Sequence, residues 1–122
     1  NFTFESGREA AITMLDRADP PTAIFAANDL MALGAMATAR ERGIALPDQL
    51  SIAGFDDIPA ARTCWPALTT VRQPLSHYGR AAAAMAIDGT IPDGVDLESR
   101  LIIRGSTAAA APQHYGRASA RQ

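Results

Sequence analysis

With 122 residues, 48% hydrophobic and 20% charged content, the chain is long enough for a real core and offers one domain or part of one. A net charge of −2, with eleven basic residues that are all arginine and scattered, leaves no basic patch for nucleic acid. The single cysteine, Cys64, excludes an internal disulfide and a multi-cysteine zinc site, and no apolar run approaches the ~20 residues of a membrane span.

In chain order, Ser6 with Glu9 three residues later resembles a capping box opening a helix, whose apolar stripe is Ala11, Ile12, Leu15 and Ala18. Asp19-Pro20-Pro21 ends it by forcing extended backbone. Thr22 to Ala27 is a short apolar run, as expected for a strand covered on both faces in a parallel sheet. A helix follows from Asp29 to Arg42. Gly43 suits its C-terminus and Pro47 prevents a restart. Leu50 to Phe55 is a second strand, ending in Gly54 and the acidic pair Asp56-Asp57. Ile58 to Ala67, with Pro59 and Pro66, has room for one helical turn, and Leu68 to Arg72 is a β-branched strand. Pro74 then stands where a first helical turn tolerates it, and Leu75, Tyr78, Ala82, Met85 and Ala86 carry a helix to Gly89. Asp88 to Asp96 is rich in turn residues, Glu98 to Arg104 alternates as a final strand, and 108–122 has the composition of a frayed tail.

Catalytic constellations are missing from this pattern. His77 and His114 sit at no metal-ligand spacing, neither G-x-G-x-x-G nor a P-loop occurs, and no serine has a G-x-S-x-G setting. No enzyme activity, cofactor or metal is therefore expected. What remains are the strand ends. In open α/β sheets ligands bind outside the carboxyl ends of the strands, which puts Asn28 and Asp56 in one crevice. An amide with both donor and acceptor beside an acceptor carboxylate can grip vicinal hydroxyls of a sugar or the polar edge of a heterocycle. The plainer alternatives are a helix N-cap for Asn28 and turn chemistry for Asp56. Of the adjacent acids, one is expected to face the crevice and the other to cap the following turn. The helix from Asp29 carries more apolar surface than one sheet face needs: Leu30, Leu33 and Ala37 form one stripe, Met31, Ala35 and Ala39 a second. That surplus is buried either by its own domain or by a partner.

An ordered set of motifs carries a resemblance: Phe2 with Ser6-Gly7, Pro21 to Asp29, Met31 to Ala35, Gly43-Ile44 with Pro47, Ser51 to Asp57, Pro66 to Val71 with Gln73-Pro74, and Ile103 to Thr107. Together they resemble the C-terminal half of a LacI/GalR-type transcriptional repressor. The resemblance implies a periplasmic-binding-protein-like three-layer αβα fold with a mostly parallel sheet, present as a C-terminal fragment over residues 1–107. It also implies that about 74–97 packs against another subdomain. Asn28 and Asp56 would then be effector-binding residues and Phe2 the aromatic that packs on the ligand ring. Expected partners are a sugar-like effector and a second copy of the chain, paired through Met31, Leu33, Ala35 and Ala39. DNA would be bound only through a helix-turn-helix outside this stretch, in the cytoplasm and away from any membrane. The competing expectation is a solute-binding protein of a sugar transporter, which shares the N-D and G-F-D signatures.

Overall fold

The computed structural model describes residues 1–90 and 93–110. Its elements run α1 (Phe4–Leu15), β1 (Ala23–Phe25), α2 (Asp29–Glu41), β2 (Ser51–Phe55), α3 (Pro59–Thr63), β3 (Thr69–Arg72), α4 (Leu75–Asp88) and β4 (Arg100–Ile102). The strands form one sheet in the order β1-β2-β3-β4. β1, β2 and β3 are parallel, and β4 returns antiparallel along β3. This is the expected mostly parallel α/β arrangement. Each expected element is present, with shorter strands. The last strand, expected over Glu98 to Arg104, keeps only three residues because side chains take the flanking amides: Glu98 N–H donates to Asp96 Oδ1 and Arg104 N–H to Thr69 Oγ1. Of the expected tail, residues 111–122 lie outside the described residues.

α1 starts earlier than Ser6. Thr3 is its N-cap, and Thr3 Oγ1 accepts from Ser6 N–H while Ser6 Oγ accepts from Thr3 N–H. Ser6 thus fills the position a glutamate takes in the common capping box. Ile12 faces outward, and the buried stripe is Gly7 and Ala11, with Met14 and Leu15 half-buried.

α1 lies along α2 at close range because glycines remove the side chains that would separate them. A Cβ on Gly7 would collide with the Met31 backbone, and one on Gly34 with the Phe4 carbonyl. Arg8–Glu41 and Arg42–Asp16 bridge the two helices at 2.6 and 2.7 Å, partly in solvent, where such pairs contribute little.

β-sheet register sorts the core. Ile24 pairs with Ile52 and Gly54 with Thr70, so these residues share the face that α2 covers with Ala32, Met36 and Ala39. Leu50 and Leu68 complete this core. The opposite face carries Phe25, Ala53, Phe55, Val71 and Leu101. Phe25 is 67% exposed there and Leu101 is also exposed, so the expectation of β1 buried on both faces holds for only one.

The Arg-Gly-Ser-Thr run after β4 is wedged between β2 and β3. Ser106 is fully buried. Its hydroxyl donates to the Ile52 carbonyl and accepts from Thr69 N–H at 2.8 Å, and its carbonyl accepts from Ile52 N–H. α4 is the least integrated helix, with Ala81 its one buried residue and Leu75, Met85 and Ile87 exposed.

Candidate functional site

Parallel pairing brings the C-terminal ends of β1, β2 and β3 to one edge of the sheet, and the residues that follow them define the site. After β1, Asn28 takes the plainer of its expected roles, the helix N-cap, and makes one further bond. Its Oδ1 accepts from Met31 N–H at 2.9 Å, which caps α2, and its Nδ2 donates to the Phe2 carbonyl at 3.1 Å. The second bond ties Phe2 to this edge while leaving the residue 69% exposed.

After β2 the chain makes a turn through two left-handed residues, Asp56 at φ 112° and Asp57 at φ 54°. Such backbone costs a non-glycine residue of order 1–3 kcal/mol and persists only where its surroundings over-determine it. Here the determinants are visible. Asp56 N–H donates to the Val71 carbonyl at 2.9 Å, and Asp57 N–H reaches Thr70 Oγ1 at 3.4 Å.

The two adjacent acids have opposite fates. Asp56 is half-buried and its Oδ1 accepts from Gln73 Nε2 at 3.0 Å, without a cationic partner among the described residues. Asp57 is buried and does not cap the following turn, in contrast to the expectation from sequence. α3 begins at Ile58 with no side-chain cap. Instead the Asp57 carboxylate receives three guanidiniums: Arg62 and Arg72 on Oδ2 at 3.1 and 2.6 Å, and Arg104 on Oδ1 at 2.5 Å. Burial alone would raise the Asp57 carboxyl, and the hydrogen bonds from Arg104, Arg72 and Arg62 overcome it, bringing the pKa down to about 2. The buried acid is thus held ionised and its half-buried neighbour keeps acceptor capacity for a ligand hydroxyl or amine. Sequence reasoning missed this clasp because its three arginines come from α3, from the end of β3 and from beyond β4, at no common spacing.

The candidate pairing residues separate in the same way. Ala35 and Ala39 are buried inside the chain, on faces of α2 covered by α1 and the core, and offer no surface to a second copy. Met31 is half-buried against α1. Leu33 is also half-buried, on the other side of α2, lining a groove with Phe4, Ala37, Arg40, Cys64 and the 83%-exposed Trp65. Arg40 donates to the Trp65 carbonyl at 2.7 Å, which fixes this loop against α2. Among the described residues no group of three His, Cys, Asp or Glu side chains could hold a metal ion, and no helix is long and apolar enough to cross a membrane.

A mostly parallel α/β domain with polar strand ends is the class this geometry defines, and a family model described as a periplasmic binding protein-like domain matches residues 2–107. The chain belongs to that family. Its relatives include the HTH-type transcriptional repressor CytR of Escherichia coli (strain K12), 45% identical over 114 residues, covering 89% of this chain and 33% of that protein. The repressor PurR of Proteus mirabilis (strain HI4320) is 39% identical over 113 residues, 88% of this chain and 33% of that protein. Among solved structures, a LacI-family sugar-binding transcriptional regulator from Escherichia coli complexed with phosphate superposes with TM-score 0.78 at 36% identity, over 88% of this chain and 40% of the other. A LacI-family regulatory protein from Chloroflexus aggregans gives TM-score 0.72 at 42% identity, over 87% and 40%. The chain spans about a third of the length of these curated relatives. The resemblance to the C-terminal part of a LacI-family effector domain, drawn from the ordered motifs, therefore holds.

Proposed function

We propose that this chain is the effector-sensing and pairing part of a DNA-binding transcriptional repressor, working in the cytoplasm. It takes a sugar or a similar hydroxyl-bearing small molecule at the ends of β1 and β2. One observation carries this reading: Asn28 and Asp56 stand at the carboxyl ends of neighbouring parallel strands, and the backbone carbonyl of the exposed Phe2 accepts from the first of them. Asp56 accepts from the ligand, Asn28 both donates and accepts, and Phe2 covers a ring face. The relatives are repressors, which favours this reading over a transporter's solute-binding protein. DNA contact belongs to a helix-turn-helix outside this chain, and the exposed side of α4, within 74–97, packs on a second subdomain that completes the cleft. Residues 1–107 form the domain part.

Asp56→Asn is the cleaner test of the site, because asparagine tolerates positive φ better than alanine does. In the complete repressor, effector binding should weaken by about 1–2 kcal/mol with operator binding retained, the difference between a charged and a neutral hydrogen bond. Unchanged affinity in titration calorimetry would reduce Asp56 to a turn former.

Pairing is assigned to the first stripe of α2, Leu30, Leu33 and Ala37, together with Trp65, since the second stripe is covered by α1. A homodimer brings this patch against its own copy. Leu33→Arg in the complete repressor should therefore sediment as a folded monomer that binds effector and has lost tight operator binding. An unchanged dimer would move the interface elsewhere.

A further inference from the structure

Asp29 stands next to Asn28, with its carboxylate turned into the fold toward Thr70 and the Ile58 amide. It is 0% exposed, and among the described residues no cation pairs with it. A buried carboxylate without a cation is costly, so its seat has to supply donors. Two are present, one for each oxygen. Thr70 Oγ1–H donates to Oδ1 at 2.5 Å, and Ile58 N–H donates to Oδ2 at 2.9 Å. The seat is also shaped for the acid: a Cβ on Gly54 would fall on Asp29 Oδ1. Burial holds the carboxyl above its usual range, and the bonds from Thr70 and Ile58 offset part of that rise.

These partners both belong with the turn that carries Asp56, one next to it in the chain and one on the neighbouring strand β3. Ile58 follows the turn directly. Thr70 also accepts from Asp57 N–H, so a continuous chain of hydrogen bonds runs from Asp57 through Thr70 to Asp29. A favourable interaction with the N-terminus of α2 is a simpler role for an acid in a first helical turn. That role requires neither burial nor a glycine opposite, and Asn28 already caps the helix.

We propose that Asp29 is the positioning residue of the cleft: its buried carboxylate locks the start of α2 to the Asp56–Asp57 turn and so fixes Asn28 relative to Asp56. It touches no ligand and acts only through those two side chains. The proposal rests on the reading of Asn28 and Asp56 as the ligand-facing pair.

The test needs no ligand, because the cleft contains its own reporters. Asn28 Nδ2 is bonded to the Phe2 carbonyl and Gln73 Nε2 to Asp56, while Gln49 accepts from Ala45 N–H in a remote loop. Side-chain amide signals and backbone hydrogen exchange are followed by NMR on the full chain for Asp29→Ala, Thr70→Val and Asp29→Asn. In Asp29→Ala, exchange at Asp57 and Ile58 rises about tenfold and the Asn28 and Gln73 signals shift, while Gln49 and the Ile52 amide keep wild-type behaviour. Thr70→Val, which retains the side-chain volume, reproduces the change at Asp57 if Asp29→Ala fails to fold. Asp29→Asn restores most of the protection at Ile58, since its oxygen still accepts from that amide. Exchange that rises uniformly through β2 and α2, or Asn28 and Gln73 signals that do not move, overturns the proposal. Failure of the cleft reading is detected separately, as unchanged effector affinity in Asp56→Asn.

Discussion

The two faces of the sheet are made from similar residues and have different fates. Ile24, Ile52 and Thr70 lie under α2, and the last two are wholly out of solvent. On the reverse face Ala53, Phe55 and Val71 are half-buried and Phe25 and Leu101 stand exposed. A sheet apolar on both sides is built to be covered twice, as parallel sheets are. The covered face is what residues 1–110 stabilise by themselves. The bare face is an apolar surface of the sort that soluble proteins bury against something else. The candidate site lies at neither face, but on the edge where the parallel strands end.

Ile52→Ala breaks the comparison most strongly. It leaves a cavity under α2 and should cost about 3 kcal/mol, within the 2–5 kcal/mol range for such truncations, in denaturant unfolding. A loss under 1 kcal/mol would mean that the covered face is not the centre of stability.

Asp57→Asn sharpens it by asking how much stability lies at the strand ends. Because the folded pKa of Asp57, about 2, is below its ordinary value, the stabilisation is fully present above about pH 4 and disappears as pH falls toward 2. A shift of this size corresponds to ~2 kcal/mol at neutral pH. The variant should lose about that much at pH 7 and show a flatter acid limb between pH 4 and 2. Asp29 works with the opposite sign: its carboxyl is raised by burial, so it favours the fold when protonated and that contribution is lost as pH rises through its folded pKa. An acid limb unchanged by Asp57→Asn would show that the arginine clasp contributes nothing net.

Phe25→Ser has the smallest expected effect. On the bare face it should change unfolding free energy by no more than ~0.5 kcal/mol while reducing binding of a hydrophobic dye. A larger loss would mean that this face is packed in solution.

Much of the fold was legible because glycine and proline punctuate it. Pro20-Pro21, Gly43, Pro47, Pro74 and Gly89 bound elements close to where they were expected, and Gly43 and Gly89 do take left-handed backbone. The N-terminal cap was misplaced because Thr3 and Ser6 form a box without an acidic member, a weaker local signal than Ser6 with Glu9. The candidate site was read at strand ends because apolar runs stop there. The partners of those residues were not legible. Asp57 meets Arg104 across 47 residues, Asp29 meets Thr70 across 41, and neither separation leaves a periodic trace. The two-stripe pattern of α2 was visible, but only Gly7 against the Met31 backbone and Gly34 against the Phe4 carbonyl decide which stripe the chain covers itself.

The register of β4 has a consequence for how the α4 region is attached. Arg72 and Arg100 are opposite each other on neighbouring antiparallel strands, so everything from Gln73 to Ser99 leaves and re-enters the domain at one point. In connectivity it is a cassette spliced into what would otherwise be a two-strand hairpin. It is held within itself, by Tyr78 Oη–H on the Leu97 carbonyl and by His77 Nδ1 against the Asp96 carbonyl, more than by the core. Replacing it by a two-residue Asn-Gly turn joins Arg72 to Arg100 without crossing another strand, and leaves the ladder from β1 to β4 intact.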